Sequence, residues 1–140
     1  MGYCIEQRGA KFTILAKNKP KALEALKAIA GNTDNMGGGS SSGEKWYSWV
    51  DMNYVSRATL EKAIEDWRWH AETNEEGDIN DIWFDGQKIG DEDHFFAALA
   101  PFVEKGSYVE MQGEEGEIWR YAFNGKSMTE LTPETTWPKF

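Results

Sequence analysis

At 140 residues the chain fits one domain, 1–140, long enough to bury roughly 68–70% of the surface its unfolded form would expose. Hydrophobic residues make up 40% of it, with seven tryptophans, which argues against disorder over most of the length, and no apolar run approaches the ~20 residues that span a bilayer. The formal net charge of −9 disfavours broad nucleic-acid binding, because phosphate contacts need lysine and arginine.

The opening stretch, YCIEQRGAKFTIL, reads as a β-hairpin turning at Arg8-Gly9, since glycine accepts the positive φ of a tight turn. Its cysteine, Cys4, is the sole one, which excludes an internal disulfide and a cysteine-rich metal site. The same stretch lacks the charged-then-apolar layout of a signal peptide. Together these suggest a protein of the reducing cytoplasm. A helix follows, with Asn18 at its cap, Pro20 in its first turn and Gly31 past its end. Ala22, Leu23, Leu26, Ile29 and Ala30 share one face of it at helical spacing.

Residues 31–44, GNTDNMGGGSSSGE, read as a flexible loop. The next run, KWYSWVDMNYV, is aromatic and β-branched and reads as a strand. A second helix, capped by Ser56 or Thr59, is expected to reach about Ala71. Leu60, Ile64, Trp67 and Ala71 then form its buried stripe, while Glu61, Glu65 and Asp66 face outward with Trp69 on the charged side. DINDIWFDGQKIG suggests another strand, with Ile82 and Phe84 alternating against Trp83 and Asp85. Asp91 caps a third helix, EDHFFAALAPFV, which Pro101 is expected to end or kink. Three strands close the chain as a meander, the last two joined at Asn124-Gly125. A two-residue turn there opposes Phe123 to Lys126, Tyr121 to Met128 and Trp119 to Glu130. The order implies an α+β two-layer domain, with about three helices on one face of a mostly antiparallel sheet.

No motif names a reaction. The two histidines sit in no metal-binding frame, and the loop glycines form no phosphate loop, so neither a metal nor a cofactor is implied. The leading reading is a non-enzymatic protein-binding module of unknown partner. Its contact face is Glu61, Glu65, Asp66 and Trp69, where carboxylates steer and an exposed aromatic anchors. An acidic inhibitor of a nucleic-acid-handling protein is one form of it. An alternative rests on charge asymmetry. Residues 1–30 hold six basic residues against two acidic, leaving nine against 22 for the rest. Lys17, Lys19 and Lys21 surround the start of the first helix, where the dipole would favour acids, so an anionic ligand or nucleotide could sit there. A carboxylate-dependent enzyme, using runs such as GEEGE at 113–117, is a second alternative.

The closing meander, GSYVEMQGEEGEIWRYAFNGKSMTEL, resembles small uncharacterised proteins of bacteriophages and mobile elements, which often finish in a similar aromatic and acidic hairpin. The resemblance covers about the last 35 residues and carries no catalytic motif. It implies a bacterial or phage setting and no specific activity.

Overall fold

The computed structural model describes residues 3–31, 38–39 and 45–133; most of the 31–44 loop falls outside them. Strand β1 (Ile5–Lys11) pairs with β6 (Tyr108–Gly113), which pairs with β7 (Ile118–Phe123) and then β8 (Met128–Leu131), every pairing antiparallel. A second hairpin joins β4 (Trp69–Thr73) to β5 (Ile79–Phe84), and a short ribbon pairs β2 (Gly38–Gly39) with β3 (Lys45–Trp46). The helices are α1 (Lys19–Ala28), α2 (Leu60–Asp66) and α3 (Glu92–Leu99). The fold is α+β, as expected. No helix among the described residues is long and apolar enough to cross a membrane.

Alternation builds the core. Along β6 the inward Val109 and Met111 are buried while Tyr108, Glu110 and Gln112 stay near the surface. Tyr121 and Phe123 of β7 bury the same face, and Phe96 of α3 packs on both, with ring centroids 4.8 and 5.8 Å away. Phe95, one residue earlier, stacks on Trp67 at 5.3 Å and on Trp69 at 6.3 Å. Consecutive phenylalanines on α3 thus join the sheet to the α2–β4 corner.

Four expectations need correction. The N-terminal hairpin does not form: β1 is one strand whose register shifts between Gln7 and Gly9, and its partner lies a hundred residues on. Gly9 is not among the glycines with positive φ; it relaxes a bulge rather than a turn. The aromatic run after residue 44 is strand only at Lys45–Trp46. Asp51 then accepts a bond from the Asn53 N–H at 2.9 Å and opens a 3-10 turn over Met52–Ser56. The run is apolar because Tyr47 and Tyr54 are fully buried, not because it is extended.

The second helix stops at Asp66, five residues early. Arg68 takes φ +72° and its N–H bonds to the Glu65 carbonyl, a left-handed helix stop of the kind usually given to glycine. The chain leaves as β4. The last turn is also longer than expected. Asn124 accepts bonds from the N–H groups of Lys126 (2.9 Å) and Ser127 (2.8 Å), closing a four-residue loop with Gly125 at φ +93°. Phe123 therefore opposes Met128, and Tyr121 opposes Glu130. A slip of two residues keeps every side chain on its expected face.

Candidate functional site

The two surfaces suggested by the sequence are not two separate sites. Trp69, the supposed exposed anchor, is fully buried against Phe84, Phe95 and Phe96. In a helix it would point 200° from Trp67; in a strand after a left-handed residue it points inward. Glu61, from the acidic face, and Lys19, from the lysine cluster, meet each other at 2.6 Å, and Lys19 also donates to the Gly77 carbonyl at 2.8 Å. Burial would raise the Glu61 carboxyl, but bonds from Lys19, its own backbone N–H and Thr73 outweigh it and hold the group below the usual carboxylate range. Asp66 is clamped by the Arg57 guanidinium at 2.6 and 3.1 Å. That leaves Glu65, exposed beside Lys62, and Lys17 and Lys21, exposed on the helix start. The acidic face is interrupted by Lys62, and the middle lysine of the cluster is taken up by Glu61.

A buried ion pair that the sequence did not reveal lies behind them. Arg68 Nη2 meets Glu92 Oε2 at 2.9 Å, Nη1 donates to the Lys88 carbonyl at 2.7 Å, and the guanidinium lies 5.1 Å from the Phe84 ring centre. Glu92 is 1% exposed and accepts the Gly90 N–H at 2.7 Å. Burial pushes its carboxyl above the ordinary range even though Arg68 and that N–H pull the other way. Two glycines make room: a Cβ on Gly86 or on Gly90 would lie 2.9 Å from a guanidinium nitrogen. This pair ties the 85–91 connection to the start of α3 and so sets one wall of the groove beside it.

That groove, of about 480 Å³, runs between the start of α3 and the β7–β8 ribbon. Tyr3, Trp119 and Tyr121 supply aromatic walls, and Asp93, Glu117 and Glu130 supply carboxylates; among the described residues no basic side chain lines it. Each side chain has an identifiable cause. Tyr3 is held by the Ile89 N–H bonding its carbonyl at 2.7 Å, and its hydroxyl donates to Glu117 Oε1 at 2.5 Å while accepting from the Glu115 N–H at 3.0 Å. Gly113 permits this, since a Cβ there would collide with both Glu117 and the Tyr3 ring. Glu130 lines the groove from β8, where the longer Asn124 loop sets it opposite Tyr121 rather than Trp119. Burial and then repulsion from Asp93 raise the Glu130 carboxyl above the usual range. Outside the lining, in the first turn of α3, His94 Nε2 lies 3.9 Å from Asp93 Oδ2.

Other hollows are chemically mixed. The one between α1 and α2 combines Lys19 and Lys27 with Glu24 and Glu61, so its charges largely cancel. Asp91, Asp93 and His94 bring potential metal-ligating atoms within 4.8 Å of one another, but Asp91 Oδ2 already accepts the Ser48 N–H at 2.7 Å. Of these hollows, the α3–β7–β8 groove best combines a cavity, aromatic walls and one sign of charge. Of its acids, Glu117 belongs to the GEEGE run that the sequence offered for acid–base chemistry, and the others were not singled out. No family model, curated protein or solved structure matches the chain.

Proposed function

We propose that the chain is a non-enzymatic protein-binding module whose working surface is the acidic, aromatic groove between α3 and the β7–β8 ribbon. Its ligand is a lysine- or arginine-bearing segment of a partner protein. The observation that carries this reading is the groove lining: three carboxylates and three aromatic rings, with no lysine or arginine beside them among the described residues. Such a lining suits an organic cation, since a ring face attracts a cation by about 0.5–1 kcal/mol at an exposed site and carboxylates add steering and register. A partner that handles nucleic acid presents basic segments where it grips phosphates, so occupying them would make this acidic chain an inhibitor of that partner.

Titration with a short lysine peptide tests the reading, against the same peptide with glutamine in place of lysine. The Asp93→Asn/Glu130→Gln double variant is expected to lose about tenfold or more in affinity, a loss equivalent to roughly 1.4 kcal/mol. Glu65→Lys, on the outer face of α2, is expected to bind as the wild type does. Equal binding of both peptides, or a loss on Glu65→Lys alone, would move the site elsewhere. Competition by a DNA duplex for the captured partner tests the inhibitor form.

A further inference from the structure

The groove has a neighbour of different chemistry. Trp49 is 53% exposed and takes φ +65°, a backbone conformation that bulky residues adopt rarely and at a cost. Its local frame is firmly held: the Ser48 N–H bonds to Asp91, and the Val50 N–H to the Tyr47 carbonyl. The indole lies beside Gly90, where an added Cβ would come within 3.2 Å of its Cδ1. Gly90 lines the acidic groove, and so does Ile89, itself 38% exposed. An exposed indole and an exposed isoleucine therefore flank one wall of a cavity whose charged side chains, among the described residues, are all carboxylates. Neither apolar group is needed to receive a cation.

We infer that Trp49 and Ile89 form the second half of the binding surface, and that the partner segment carries an apolar side chain close to its lysine or arginine. This rests on the groove reading and narrows it to a two-part motif, one basic and one apolar residue. The division of labour is the common one at interfaces: charge complementarity sets orientation, and a large aromatic supplies contact area. In an extended segment, residues two apart project to the same side about 7 Å apart, a spacing suited to adjoining subsites. The strained backbone at Trp49 is consistent with an indole held outward for contact rather than folded into the core.

The test uses the whole chain and three peptides: one with lysine and phenylalanine two residues apart, and versions with the lysine replaced by glutamine or the phenylalanine by glycine. Indole N–H resonances of Trp119 and Trp49 report the two halves separately. The full peptide is expected to move both signals. Trp49→Gly is expected to weaken its binding to the level of the phenylalanine-free peptide, while the melting temperature stays or rises because glycine accepts the positive φ. A signal change at Trp119 with none at Trp49, and unaltered binding by Trp49→Gly, would overturn the two-part motif and leave the groove reading standing. No change at either indole with any peptide would overturn both. Signals that shift on diluting the protein alone would assign the surface to a second copy, and would also overturn the proposal.

Discussion

Arg68 concentrates three costs in one residue: a left-handed backbone, a largely but not fully buried guanidinium, and an Nε without a hydrogen-bond partner among the described residues. What offsets them is position, because the residue that ends α2 also holds Glu92 at the start of α3. Breaking a buried ion pair from one side typically costs about 3–5 kcal/mol, since the remaining charge is stranded. Arg68→Met is therefore expected to destabilise by about that amount near neutral pH. The loss should depend on pH in a definite sense. Glu92 is held above its unfolded value, so its contribution favours folding below the unfolded value and is lost as pH rises through the folded one. Removing Arg68 raises the folded value further, so the variant should recover part of its deficit in mild acid. Urea unfolding at neutral pH and in mild acid measures this, and a deficit identical at both would mean that Glu92 is not the stranded charge.

At the scale of elements, the four-stranded sheet and the β4–β5 hairpin meet without a continuous ladder. Gln7 of β1 bridges them: its amide donates to the Ile82 carbonyl at 2.9 Å and accepts the Phe84 N–H at 2.6 Å. One side-chain amide thus takes the place of a backbone peptide between β1 and β5, with Ile5 N–H to Gln87 carbonyl continuing the seam at 2.9 Å. Gln7→Leu keeps the size and removes both bonds. It should cost about 1–3 kcal/mol, the usual penalty for leaving such backbone groups unsatisfied, and accelerate amide exchange at Phe84. Unchanged exchange there would show that the seam holds without Gln7. The β7–β8 loop illustrates a second point. Two residues of added loop preserve the faces while changing who sits opposite whom, and that brings Glu130 to Tyr121 and completes the groove.

For the whole molecule, the net charge of −9 matters less than where charge is left uncompensated. Lys19 with Glu61, Arg57 with Asp66, and Arg120 with Glu110 at 2.7 Å are matched pairs, whereas Glu130 and Asp93 of the groove repel each other. Its affinity for a lysine peptide should therefore weaken as salt rises. It should also weaken as pH falls from neutral through the raised value of Glu130, because the protonated carboxyl no longer attracts a cation. Glu130→Gln should bind more weakly at neutral pH with a flatter pH profile. A profile as steep as the wild type's would overturn the assignment of this pH dependence to Glu130.

Period and punctuation in the sequence were enough for the α+β class, the three helix starts, the closing meander and most of the core, because burial alternates every two residues in a strand and every three to four in a helix. Pro20, Thr59 and Pro101 marked their boundaries through the local bonds that each residue type permits or forbids. The site was far less legible. Arg68 ends α2 without a glycine signal, so Trp69 looked exposed when it is core. Glu92 resembles any acid at a helix start until Arg68 is brought to it from 24 residues away. Lys19 and Glu61 belonged to rival surfaces until α1 and α2 packed together. The groove draws its seven described side chains from four stretches, between Tyr3 and Glu130. Local propensity is written in neighbouring residues, but charge compensation depends on which distant residues packing brings within a few ångströms, and only the tertiary structure decides that.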